Sequence, residues 1–457
     1  MAHYLGPQTE SYQGALARAC AKYHPDTRLD STTAVFSWHL YGYPPEYAEM
    51  TAYALAANGV KGYCYATCGD WATVEILKAW KRASHAIGGV EDHLVPAKMV
   101  PGKVALGWSE TTTVWEQAVA SDPGFNMPGN VLYQLERHYL YILLRHLQLP
   151  VELLSDADIE EGRLQDYQVY VMVGDHTTRR AAEQIRRWVE AGGVLVSGAG
   201  GGLLDEFNRP LDTLTEVYGI KGQRQYAAEQ GREYIPGQAY ADGAADNKLE
   251  KFLQAPRAKL ELIHAHPTDA ITVAGFDGGK LPVLGARQTF TAAGGGVVGT
   301  FAAGQPAVVT NAFGEGRALL MGFLPGISYF YQAFPKQPYG RGGEDLSLKL
   351  FPQCKPLLRD ALAQLLRQVW PRMGASVTTS HPFVEANLMR NGDDYHIALV
   401  NFSGTPVNTL DVTVSKRECG QPVHAEAAYG KLEVEDRGDA LVLKMPLEQF
   451  DFVTLRR

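Results

Sequence analysis

Residues 169–196 read VYVMVGDHTTRRAAEQIRRWVEAGGVLV, and this stretch decides the fold. Val169 to Val173 is a continuous apolar run, which suits a strand covered on both faces rather than one with a solvated side. Ala182, Ile185 and Val189 then recur at helical spacing along one side of the next segment. Gly192-Gly193 stops that helix, as glycine does just past a helix end. Val194-Leu195-Val196 opens a second apolar strand. Strand, helix and strand at this spacing make a βαβ unit and predict a parallel sheet.

The pattern extends in both directions from that unit. Upstream, Val104-Ala105-Leu106 begins a strand, and a polar, Gly- and Pro-containing loop runs from Trp108 to Gly129. Leu132, Leu135, Tyr139, Ile142, Leu143 and Leu147 mark a helix, and Val151 to Leu154 another strand. Ser155-x-x-Asp158 has the spacing of a capping box. Downstream, residues 222–316 are richer in Gly, Ala and polar residues, with short β-like runs such as Ala307-Val308-Val309. That stretch reads as a β-rich insertion. The α/β pattern returns with Ala318 to Phe323 and a helix near Leu357 to Val369.

The two ends of the chain differ from this middle. Residues 1–100 alternate helices (Gln13 to Tyr23, Glu46 to Ala57, Val74 to Ile87) with buried strands (Thr33 to Trp38, Val60 to Ala66). Residues 376–457 carry short strands near Tyr395–Val400, Leu410–Val414, Leu432–Val434, Ala440–Leu443 and Phe452–Leu455, which predicts a small antiparallel sandwich. The expected organisation is therefore a βα segment over 1–101, a doubly wound α/β domain over 102–375 holding the 222–316 insertion, and a β-sandwich over 376–457.

Composition narrows the function. Apolar residues make up 46% of the 457, charged residues 20%, and the formal net charge is −8, so the chain can bury a large core and has no basic balance that would suit nucleic acid. There is no apolar run of membrane-spanning length and no basic-then-apolar leader, which makes the cytoplasm the default location. The five cysteines imply no disulfide framework. Cys64-x3-Cys68 has no second close pair, although His39 and His85 lie nearby, and the cysteines read as buried free thiols rather than metal ligands.

The segment from Gly102 to Ile220 resembles the trimerisation domain of glycoside hydrolase family 42 β-galactosidases, a domain of glutamine-amidotransferase (flavodoxin-like) type. The resemblance rests on Lys103-Val104-Ala105-Leu106, the helix through Tyr139, Pro150-Val151-Glu152-Leu153-Leu154, Leu164-x-x-Tyr167, the run Trp188 to Val196, and Leu203 to Asn208. Gly304-x-Pro306-Ala307, Gly314-x-Gly316-Arg317 and Gly322-x-x-Pro325-Gly326 are similar to the return segment of that domain. Asn58 to Tyr63 resembles the eighth strand of a (β/α)8 barrel, Ser37-Trp38-His39-Leu40-Tyr41 falls near the seventh, and Ile397 to Phe402 resembles the closing β domain. The resemblance implies a glycosidase acting on β-linked galactosides or similar sugars without a cofactor, and a homo-oligomer, namely a trimer.

One departure matters. A complete barrel takes about 250 residues, and here about 100 precede the α/β domain. The family's acid/base glutamate follows the fourth strand, which has no counterpart, and its nucleophile ends the seventh, where Trp38-His39 stands. Neither carries over. A truncated barrel, a barrel completed by association, chemistry moved elsewhere, a non-catalytic sugar-binding or oligomerising remnant, and a subunit of a split enzyme all remain open.

Glycoside hydrolysis commonly uses two carboxylates, one of them kept protonated. The βα segment offers Glu10, Glu46, Glu49 and Asp70. Asp70 follows a strand, where a barrel's catalytic face lies. Glu46 and Glu49, three apart, share a helix face, although Glu46 is equally an ordinary first-turn carboxylate. Trp38, His39, Tyr41, Tyr65 and Trp71 fall at the ends of two strands, where aromatic faces could stack on a sugar or simply cover the strand ends. Gly198-Ala199-Gly200-Gly201-Gly202 follows a strand, but Leu203 stands where a dinucleotide fingerprint needs glycine, so a tight turn is expected. Asp205 and Glu206 read as a cleft pair or a loop anchor. Asp175-His176 follows a strand with no Cys or Ser at the elbow, and Cys354 comes late, so amidotransferase chemistry is set aside.

Overall fold

The structure, a computed structural model, describes residues 7–22, 30–31, 45–63, 74–118, 132–226, 267, 269–284, 286–330 and 354–457. At its centre is a nine-stranded sheet. Five strands, Val104–Trp108, Val151–Ser155, Val169–Met172, Val194–Ser197 and Gly316–Met321, run parallel. Numbered along the chain, they lie in the order 2-1-3-4-5, the flavodoxin-like order with its reversal between the first and third.

Alternate residues of these strands feed two cores. Val104, Leu106, Val169, Val171, Val194 and Val196 pack beneath the helices Leu132–His146, Pro325–Phe330 and Pro356–Val369. Ala105, Tyr170, Met172, Leu195, Ala318 and Leu320 pack on the opposite face, beneath Arg179–Glu190 and Thr215–Tyr218. A sheet covered on both faces explains why its strands read as unbroken apolar runs. The expected capping box forms, with Ser155 accepting from the Asp158 N–H and Asp158 accepting from the Ser155 N–H.

The described part of 222–316 is β, as expected, but it does not stand apart. Pro306–Phe313 forms a hairpin with Gly316–Met321, and Gly296–Phe301, Asp269–Val273 and Leu281–Val283 follow outward as antiparallel partners. These four strands extend the parallel sheet. A separate ribbon pairs Ile220–Tyr226 with Gln288–Ala292.

The C-terminal residues form two facing antiparallel sheets, the expected sandwich. One holds Val377–Thr379, Val407–Ser415, Ala440–Leu447 and Glu433–Asp436. The other holds His424–Ala427, Phe450–Arg456, Asp394–Asn401, Val384–Asn391 and, at its edge, Lys98–Met99 from the N-terminal part. Ile397, Leu399, Val453 and Leu455 point into the sandwich. Their neighbours Ala398, Val400 and Phe452 point outward against Met50, Tyr53, Ala57 and Ala83 of the helices Pro45–Ala57 and Val74–Gly88. The two-residue alternation thus serves two cores at once. In the N-terminal segment, Asp30–Ser31 pairs parallel with Gly62–Tyr63, in keeping with βα units of a partial barrel. Among the described residues no helix is long and apolar enough to cross a membrane.

Candidate functional site

The helix Thr9–Ala21 carries Glu10, which is 1% exposed. Burial pushes its carboxyl up to about 7, so it holds a proton near neutrality, because removing a carboxylate from water penalises the ionised form. The rest of the helix is tied on two sides. Arg18 Nη1 donates to the Asn58 carbonyl at 2.5 Å, Arg18 Nη2 reaches Glu152 at 3.4 Å, and Lys22 pairs with Asp158. Tyr12 accepts from Arg137 Nε at 3.0 Å. Glu10 therefore sits where the βα segment meets the central sheet.

Glu46 is exposed in the first turn of Pro45–Ala57, while Glu49 is buried and accepts from Arg82 Nε at 2.7 Å. Glu46 and Glu49 share this helix, and the Glu10 helix packs against it. Asp70, Trp38, His39, Tyr41, Tyr65 and Trp71 lie outside the described residues, as do Cys64 and Cys68.

A 2-1-3-4-5 sheet places ligands beyond the carboxyl ends of its first and third strands. Here the described polar groups along that crevice are paired with one another. Ser109 Oγ donates to Asp156 at 2.9 Å, and the Thr112 hydroxyl donates to the His176 carbonyl at 3.0 Å. His176 Nε2 lies 2.9 Å from Asn208 Oδ1, and Trp115 stacks over the imidazole. Tyr133 donates its hydroxyl to Asp175 and its N–H to Glu116 at 2.6 Å. Burial pushes Glu116 up to about 8 and Glu136 up to about 7. The N–H groups of Gly326 and Ile327, at 2.9 and 2.8 Å, partly offset the shift at Glu136.

The glycine run behaves as the expected tight turn. Gly200, Gly201 and Gly202 have φ of +113°, +67° and +61°, a region open to glycine at little cost. The N–H of Gly200 is taken by Gln288 Oε1 and that of Gly202 by the Gly174 carbonyl, so neither is available to a phosphate. Asp205 anchors its loop, accepting from the N–H groups of Phe207 and Arg209 and from Arg179. Cys354 lies buried against Tyr329, its thiol pushed up to about 12 by burial. Gly174-Asp175-His176 follows the third strand, so the central domain has no nucleophile at its elbow.

Sequence reasoning missed Glu116, Glu136 and Glu385. Glu385 is 2% exposed and accepts from Arg145 Nε at 2.6 Å and from Ser11 Oγ at 2.5 Å. Arg145 also donates to the carbonyls of Leu149 and Ala386 and to Asn387 Oδ1. A carboxylate inside the run Val384-Glu385-Ala386-Asn387-Leu388-Met389 was the available signal, since a charge on a strand with apolar neighbours needs a buried partner.

No family model matches the sequence, and no curated protein matches it. Solved structures do match in fold. A β-galactosidase from Bacillus circulans sp. alkalophilus superposes with a TM-score of 0.62 at 15% identity, covering 98% of this chain and 58% of its own. A catalytic mutant of a family 42 β-galactosidase from G. stearothermophilus gives 0.59 at 12% identity, with 98% and 57% covered. An α-L-fucosidase isoenzyme from Paenibacillus thiaminolyticus gives 0.56 at 13% identity, with 91% and 58% covered. The chain spans little more than half the length of each. Over nearly all of its own length, it has the fold of the matching part of family 42 β-galactosidases.

Proposed function

We propose that the protein is a glycoside hydrolase of β-galactosidase type, acting on β-linked galactosides or related sugars through two carboxylates and without a cofactor. The fold shared with family 42 enzymes over 98% of the chain carries this reading. Glu10 suits the protonated role, with its carboxyl raised to about 7. Glu49, held by Arg82, is proposed as its partner, and Glu46 and Asp70 complete the candidate set. Such hydrolysis uses a pair of acids, one of them kept protonated. The aromatic groups Trp38, His39, Tyr41, Tyr65 and Trp71 are proposed to stack on the sugar. The fucosidase among the fold neighbours supports leaving the sugar open, because one scaffold serves different substrates.

A panel of nitrophenyl glycosides tests the reading. Turnover on one sugar is expected, abolished by Ala at two of Glu10, Glu46, Glu49 and Asp70. No turnover on any sugar by folded protein overturns it, and full activity in all four variants overturns the site assignment. A second reading is favoured by the burial of Glu10: an oligomerising or sugar-binding subunit, trimeric by analogy, that leaves catalysis to another chain. It predicts no turnover and a sedimenting oligomer.

A further inference from the structure

Beneath the amino-terminal edge of the parallel sheet lies a cavity of about 470 Å³, walled by the βα segment, the central sheet and the sandwich together. Its size falls in the range of small-molecule sites, and it lies at the opposite edge of the sheet from the crevice described above. Val104 and Val151, the first residues of their strands, reach it from the sheet, Arg18 and Asn58 from the βα segment, and Asn387 and Ser376 from the sandwich.

The charges on its wall are unevenly matched. Arg145 is neutralised from behind by Glu385. Arg18 reaches Glu152 only at 3.4 Å, the long end of the hydrogen-bond range. Lys103 and Arg417 are exposed, and neither has an ion pair among the described residues. With Glu418, three cations face two carboxylates. The wall also carries the hydroxyl-bearing side chains Ser376 and Ser415.

We propose that this cavity binds a small hydroxylated anion, a sugar bearing a phosphate or a carboxylate. Lys103 and Arg417 meet its charge, and Ser376 and Ser415 on the same wall meet its hydroxyls. Because the site draws on all three parts of the chain, its occupant stabilises their mutual arrangement, and binding to the folded state alone raises the melting temperature with ligand concentration. The inference stands apart from the carboxylate assignment above.

Calorimetric titration and thermal shift on the full chain at low salt test it with six probes: glucose and galactose, their 6-phosphates and their uronates. Binding by at least one anionic sugar and by neither neutral sugar is expected. Phosphates or uronates alone responding identifies the anion. Lys103→Ala and Arg417→Ala should each weaken binding about tenfold, as loss of a charge-assisted contact does, with the ligand-free melting temperature unchanged. Arg180→Ala, at an 80% exposed side chain elsewhere, should leave it intact. Failure of all six probes, equal binding of the neutral sugars, or indifference to both cavity substitutions overturns the proposal.

Discussion

Replacing Glu10 by Gln keeps the shape of the side chain and removes its titration. In the folded chain the Glu10 carboxyl holds its proton to about pH 7, against 4.5 for the ordinary group. Below pH 4.5 both states are protonated and burial of the acid costs nothing through titration. Between 4.5 and about 7 the unfolded chain ionises while the folded chain does not, so stability falls as pH rises, then levels off once the folded group also ionises. At 1.36 kcal/mol per pH unit the loss totals about 3 kcal/mol. Glu10→Gln should therefore match the parent at pH 4 and exceed it by about 3 kcal/mol at pH 8.5. Urea denaturation followed by tryptophan fluorescence at four pH values measures the difference, and the raised acids Glu116 and Glu136 cancel because both proteins carry them. A gap constant with pH would refute the burial argument. If Glu10 is also the catalytic acid, the same variant gains stability and loses turnover, the trade expected of a strained functional group.

Three further perturbations follow. Glu385→Gln strands Arg145 in a site where both side chains are at most 4% exposed; it should cost about 3–5 kcal/mol, read as a drop of roughly 6–20 °C in melting temperature. Replacing both partners with apolar residues, Arg145→Met with Glu385→Leu, should recover most of that loss, and a double variant as unstable as the single would show that the charge is not the cause. A Cβ on Gly326 would lie 2.4 Å from the Leu140 nitrogen and 2.8 Å from the Glu136 carbonyl, so Gly326→Ala should cost about 1–3 kcal/mol by prising two helices apart; calorimetry showing no change would contradict that contact. Arg82→Ala breaks the bond to Glu49 but removes a side chain that is 54% exposed, and it should cost less than about 1 kcal/mol by the same calorimetry.

How far the sequence could be read follows from the range of the forces involved. The helix Arg179–Glu190 and its flanking strands were legible because apolar periodicity and the glycine stop lie within thirty residues of one another. The Pro356–Val369 helix and most sandwich strands were legible for the same reason. The strands Asp269–Val273 and Gly296–Phe301 could be seen as β, but not as members of the central sheet, since pairing partners leave no local signature. The candidate site was less accessible. The burial of Glu10 depends on helices and strands more than a hundred residues away, as the Tyr12–Arg137 and Lys22–Asp158 contacts show. The Arg145–Glu385 pair joins residues 240 apart. Propensity carries no record of such partnerships, and six of the nine site residues chosen from the sequence fall outside the described residues.

The outer face of the five-stranded sheet sets a timetable for synthesis. Met50, Tyr53 and Ala57 are finished early, yet their cover, Ala398, Val400 and Phe452, is encoded some 340 to 400 residues later. At roughly 5–20 residues per second the ribosome takes on the order of 20–80 s to supply it. During that interval the first helices present an apolar flank whose native mate does not exist. Synthesis of residues 398–452 is the event that lets residues 50–57 bury that flank.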